Sequence, residues 1–168
     1  MDIIKVSFDV NDKNLRVEFF NSAFPEAIKA LNAGSKPKWG MMTAQQMTEH
    51  LIWGFYICTG KFEVECYYPE NIVKRFKPFL YSNMPTQQDF KNPFYANGLP
   101  ELKCAGLEQA KTELLGALEL FINMYTASPQ NTYTHPVFGK MDMEEWHRGS
   151  YKHCFHHLLQ FELIHQNV

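Results

Sequence analysis

The chain has no surplus of basic residues: 16 Lys+Arg stand against 18 Asp+Glu, a formal net charge of -2 over 168 residues. Proteins that follow a nucleic acid backbone need a positive excess, so no nucleic acid partner is expected. Long hydrophobic runs are also missing. Glu, Asn, His or Gln interrupts the most apolar segments every few positions, well short of the roughly 18 residues that span a bilayer, and no membrane association is expected. The four cysteines, Cys58, Cys66, Cys104 and Cys154, show no C-x-x-C spacing. The amino terminus carries no basic stretch leading into an apolar run and a small-residue cleavage site. A reducing, cytoplasmic setting follows as an expectation, with the cysteines as core or bystander residues. Gly-rich phosphate loop, nucleophile elbow and Ser-His-Asp order are all absent from the sequence.

What is present is a globular composition, 45% hydrophobic and 20% charged, of a size that supports one hydrophobic core, so one domain over 1–168 is expected. Residues 1–10 alternate apolar and polar side chains, which suits a short strand or extended arm. Helical spacing of Leu15, Phe19, Phe20, Ala23, Ala27, Ile28 and Leu31 predicts a first helix over 14–31, interrupted near Pro25. Thr43 and Gln46 form a capping-box pair that opens a second helix, running to about Thr59. Residues 61–106 hold five of the nine prolines and many aromatics, which forbids long helices and predicts a long irregular crossover. Its Phe76, Phe79, Tyr81, Phe90, Phe94 and Tyr95 suit either the cover of an opening or the sealing of a core. A third helix spans Leu107 to about Tyr125. After a loop through Gly139, Asp142 and Glu145 cap a fourth helix that runs to about His165. The expected fold is therefore all-α, a four-helix bundle with a short extended segment and a long crossover.

Five of the seven histidines, His147, His153, His156, His157 and His165, fall in the last 22 residues. On a helix His153 and His157 lie one turn apart on one face, where two imidazoles can hold one metal ion. His156 is turned about 60° from His153, the weaker ligand of the three. Trp146, Ser150 and Gln160 share the face of the pair and are candidates for the pocket or for groups behind the ligands. A third ligand must come from elsewhere, and only His50 and His135 remain. His50 shares a helical face with Met47, Gly54 and Cys58, pointing inward where Gly54 leaves room for an ion or a substrate. His135 precedes Pro136, which favours extended backbone and a loop-anchoring role. Three neutral imidazoles with an open position are the arrangement of a catalytic metal site.

Trp39-Gly40-Met41-Met42-Thr43-Ala44-Gln45-Gln46-Met47-Thr48-Glu49-His50-Leu51, together with His135-Pro136-Val137-Phe138-Gly139-Lys140-Met141 and the late His153-x-x-His156-His157-x-x-Gln160, resembles an uncharacterised family within the DinB/YfiT-like superfamily. The match covers the second and fourth helices and the loop before the fourth, and residues 61–106 add little to it. The resemblance implies a four-helix bundle and a divalent metal, often nickel or zinc, held by His50, His153 and His157. It also implies a small-molecule substrate, since better-studied members are S-transferases and isomerases that use a low-molecular-weight thiol, while others are described as metal-dependent hydrolases.

Two readings follow. One is a bacterial-type metal-dependent enzyme that activates water or a thiol. The other is a non-catalytic binding or dimerisation module with a structural metal or none, whose homodimer contact would use the apolar Phe155, Leu158 and Leu159. A closed four-ligand shell would mark the second, and three histidines beside a cavity the first.

Overall fold

The computed structural model describes residues 4–88 and 98–167; the aromatic residues Phe90, Phe94 and Tyr95 of the expected crossover lie outside them. Strand β1 (Ile4–Val6) leads into a helical rod made of α1 (Lys13–Glu18), a π turn (Phe19–Ala23) and α2 (Phe24–Ala30). Asp12 caps the rod by accepting the Asn14 and Leu15 N–H groups. The wide π turn stands immediately before Pro25, whose ring nitrogen has no hydrogen to give to the carbonyl four residues back. The rod is thus deformed at the proline and not broken there. Helices α3 (Ala44–Cys58), α4 (Glu70–Phe76), α5 (Leu107–Ala127) and α6 (Met143–Gln160) follow, with β2 (Thr132–His135) and β3 (Gly139–Asp142) between α5 and α6 and β4 (Ile164–Gln166) after α6. Capping boxes open α3 at Thr43 and Gln46 and α6 at Asp142 and Glu145. Among the described residues no helix is long and apolar enough to cross a membrane.

The all-α expectation is overturned: two small sheets and a fifth helical segment, α4 with its 3-10 extension over Lys77–Tyr81, make the architecture mixed α/β. The segment before α6 is a hairpin and not a loop, pairing Thr132 with Asp142 and His135 with Gly139. Its strands are four residues each, too short for their alternation to stand out against Pro136 and Gly139. The fourth helix stops at Gln160 and does not reach His165. Glu162 adopts φ 52°, and this left-handed turn redirects the chain so that His165 lies in β4, parallel to β1 and opposite Lys5.

The core is built from rings on four rods. Phe121 of α5 lies 5.3 Å from Phe55 of α3 and 5.7 Å from Phe20 of the π turn, measured between ring centroids. Tyr151 of α6 meets Phe19 at 5.0 Å and is stacked under Phe8 at 4.9 Å. Of the apolar α6 residues expected to meet a partner subunit, Phe155 packs against Phe8 and Phe19 and Leu158 is buried, while Leu159 is half-buried. Gly60, just past α3, sits at φ 71°, and a Cβ there would lie 2.5 Å from the ring of Tyr133 on the hairpin. Only glycine suits both the backbone and the close approach of β2. Gly60→Ala is expected to cost more than about 1 kcal/mol, seen as a lower urea midpoint in equilibrium unfolding.

Arg16 is fully buried. Its Nε donates to Nδ1 of His147 at 3.0 Å, and its terminal nitrogens reach the Val10 carbonyl and the Glu144 carboxylate. Glu144 also accepts from the Tyr125 hydroxyl at 2.7 Å and from Arg148 Nε at 2.9 Å. Because Nδ1 of His147 accepts, that ring is neutral with its proton on Nε2. Burial, with the positive charges of Arg16, Lys13 and Arg148 behind it, pushes the His147 pKa down to about 3. In the unfolded chain a histidine takes up its proton near pH 6.5. The stability contributed by neutral His147 is therefore complete above that value and is lost as pH falls from 6.5 toward 3, at up to about 1.4 kcal/mol per pH unit for one proton. Equilibrium unfolding at pH 7.5, 6 and 5 should show this decline before the carboxylates titrate, with a shallower slope in His147→Gln, which keeps an acceptor for Arg16.

Candidate metal centre

Helix α3 places His50, and α6 places His153 and His157 one turn apart, so that three rings from two helices meet. Nε2 of His153 lies 2.7 Å from Nε2 of His50 and 3.1 Å from Nε2 of His157. One donor nitrogen from each of the three falls within 4.8 Å of the others, a group able to hold a metal ion. The rings meet edge to face, with centroids 4.7 to 4.9 Å apart.

This convergence is poor as a hydrogen-bond network and good as a ligand set. One imidazole nitrogen carries a single hydrogen or a single lone pair, so Nε2 of His153 cannot fully satisfy both neighbours. Three lone pairs aimed at one point suit a cation. A tetrahedral zinc ion bound at 2.0–2.1 Å separates imidazole nitrogens by about 3.3 Å; the His153–His157 spacing of 3.1 Å is close to that, and His50 has to withdraw by about half an ångström. The rings are also in the correct charge state. Burial first, and then mutual repulsion with His156 and one another, hold His50, His153 and His157 well below the ordinary histidine range, so their lone pairs are free at neutral pH.

Gln160 sets the tautomer of His157. The Gln160 amide nitrogen donates to the Trp39 carbonyl at 2.8 Å, which leaves its oxygen facing Nδ1 of His157 at 2.8 Å. A carbonyl only accepts, so the amide has one orientation, Nδ1 carries the hydrogen, and Nε2 presents its lone pair to the cluster. Gly54 faces the His153 ring, which a Cβ there would meet at 3.8 Å, an ordinary contact.

The remaining sequence candidates lie around this cluster without joining it. His156 faces the Trp39 ring at 5.5 Å. Nδ1 of His135 accepts the Val137 and Phe138 N–H groups at 3.0 and 3.2 Å, closing the hairpin turn. Burial drives the His135 pKa down to about 3, as its role as acceptor requires. The Trp146 indole donates to the Tyr133 carbonyl at 3.3 Å and packs on His135, while Ser150 sits on the Cys58 thiol. Of the crossover aromatics, Phe79 stacks on Phe138, Phe76 meets Tyr68, and Tyr81 lies under Arg148; Phe76 and Tyr81 stay exposed, and these contacts are away from the three clustered histidines.

A cavity of 180 Å³ opens beside His50, between α3, α5 and the 98–106 loop, and Trp53, Tyr56, Leu102, Cys104 and Glu113 are among its walls. Glu49 holds that loop by accepting the Lys103 and Cys104 N–H groups at 2.6 and 3.1 Å. Cys104 is expected from the sequence only as a core or bystander residue, and Trp53, Tyr56, Leu102 and Glu113 are not singled out by it. Helical spacing could have linked Trp53 to His50, three residues apart on α3, whereas Glu49 and Tyr56 point 100° or more away from it; Glu113, on another helix, left no signal. Comparison with protein-family models, curated proteins and solved structures finds no match for this chain.

Replacing Gln160 by Ala frees the His157 ring to rotate and is expected to weaken zinc binding about 10- to 100-fold, measured by competition with a chromophoric chelator. Gln160→Glu, which keeps an acceptor for Nδ1, should retain more affinity than Gln160→Ala.

Proposed function

We propose that this chain is a DinB-like divalent-metal enzyme, of the hydrolase or thiol S-transferase type, in which His50, His153 and His157 hold nickel or zinc. The observation that carries the reading is the meeting of three neutral imidazoles beside a cavity. When bound, such an ion acts as a Lewis acid that lowers the pKa of a water or a thiol at an open position. The chain's own groups orient and exclude. Gln160 keeps the His157 lone pair pointed inward, and Ile52, Trp53 and Leu102 give the cavity beside His50 apolar surface for a substrate. Burial, followed by the nearby Glu113, raises Tyr56 to about 12 and Cys104 to about 11, so both stay protonated and act as hydrogen-bond donors and not as nucleophiles. A small-molecule substrate, or a low-molecular-weight thiol, would enter from the 98–106 side.

A structural site closes its shell with four protein ligands. Among the described residues the group holds three histidines, with no fourth His, Cys, Asp or Glu, which supports the catalytic reading over a structural one. The test is elemental analysis of the purified protein. About one equivalent of divalent ion is expected in the wild type, with near-complete loss in His153→Ala and His157→Ala; metal content unchanged in both variants would sink the proposal.

A further inference from the structure

We propose that the cavity beside His50 recognises a small, largely apolar molecule that carries an ammonium group, and that Glu113 is its counter-ion. The inference deepens the metal-enzyme reading at the His50 end of the cavity, while the ammonium end stands on separate observations.

The carboxylates near the cavity differ in what they have left to offer. Glu49 is fully engaged: it accepts from the Lys103 N–H, the Cys104 N–H and the Gln45 amide, at 2.6, 3.1 and 3.0 Å. Burial opposes ionisation there, and these three donors more than offset it, holding its pKa below the usual value. Glu101 is exposed at the rim. Glu113 is half-buried in the wall. It accepts one strong hydrogen bond, from the Tyr56 hydroxyl at 2.7 Å, and one long contact from the Cys104 thiol at 3.5 Å. A carboxylate offers about four lone-pair sites, so acceptor capacity remains.

No lysine or arginine nitrogen among the described residues pairs with Glu113. Lys61 lies on the ring of Tyr56, 4.8 Å from its centroid, and the Lys103 side chain is exposed. A carboxylate held by two protonated donors beside the apolar side chains of Ile52, Leu99 and Leu102 selects for positive charge. The remaining walls are Gln46, Ile52, Trp53, Leu99, Pro100 and Leu102, with the Trp53 ring packed on Phe62 at 4.5 Å. A cavity of about 150 Å³ takes up one benzene ring, so 180 Å³ suits a single ring with a short amine arm.

The probe is benzylamine, titrated into the full-length protein at pH 7.5 with tryptophan fluorescence and calorimetry as readouts, beside the isosteric benzyl alcohol and the anionic benzoate. Saturable benzylamine binding at least ~10-fold tighter than that of either analogue is expected, the ratio a charge-assisted hydrogen bond supplies. Glu113→Gln, which keeps the Tyr56 contact, should remove that preference, leave benzyl alcohol binding unchanged and retain wild-type metal content. Benzylamine binding no tighter than benzyl alcohol, benzoate binding best, or an unaltered preference in Glu113→Gln would each overturn the proposal. The analogue series in the wild type decides the question even where the variant folds poorly. Failure of the amine preference leaves the metal analysis standing, and failure of metal binding leaves the amine preference standing, so the two readings fall separately.

Discussion

Helices α3 and α6 share a site through the contact of three histidine rings, and beside it Gly54 of α3 faces the ring of His153, which a Cβ there would meet at 3.8 Å. A β-branched or aromatic residue at that position would push α6 outward and separate His50 from its two partners. The close approach carries a cost, because three imidazoles leave water together and repel one another when protonated. The chain offsets it elsewhere in the core, where Phe20, Phe55 and Phe121 interlock the rods that carry α3. A pre-formed cluster of neutral imidazoles results, with Nε2 of His153 between those of His50 and His157.

Helix α6 is unusual in how many polar groups it takes into the interior. His147, Lys152, His157 and Gln160 are all buried on it, and each has a named partner. His147 receives Arg16, Lys152 donates to the carbonyls of Ser82 and Met84, and Gln160 joins His157 to the Trp39 carbonyl. Burial lowers the Lys152 pKa to about 8, while the carbonyls and the ring of Phe79, 3.8 Å from Nζ, accommodate its charge. These contacts fasten α1, the 77–84 segment and the loop before α3 to a single helix. Their directionality specifies one rotation of α6 about its axis, and that rotation aims His153 and His157 at His50.

Much of the helical framework was legible in the residues. The capping pairs Thr43/Gln46 and Asp142/Glu145 announced two helix starts, since an orphan N–H group and the side chain that satisfies it lie within one turn of sequence. The features that turn the fold from all-α to mixed left weaker traces. Strand β4 is three residues long and follows an unheralded left-handed Glu162, so the apolar pattern of α6 runs on past its true end. Pairing with β1 is a contact between the two ends of the chain, and no local window contains both.

The same division holds at the site. By itself the sequence determined that two histidines stand one turn apart on a helix, that a third lies inward on another, and that Gln160 follows His157 by three residues. These are consequences of helical periodicity, which acts over a few residues and is written in them. Only the tertiary structure decided that the three Nε2 atoms meet, that Gly54 faces the ring of His153, that Gln160 fixes one tautomer through Trp39, and that Glu113 and Tyr56 face a cavity beside His50. Each of those depends on groups more than 50 residues apart in the chain, apart from the local His153–His157 contact. Their distances are set by how helices pack, a balance of ring volumes and buried polar partners that no short pattern records.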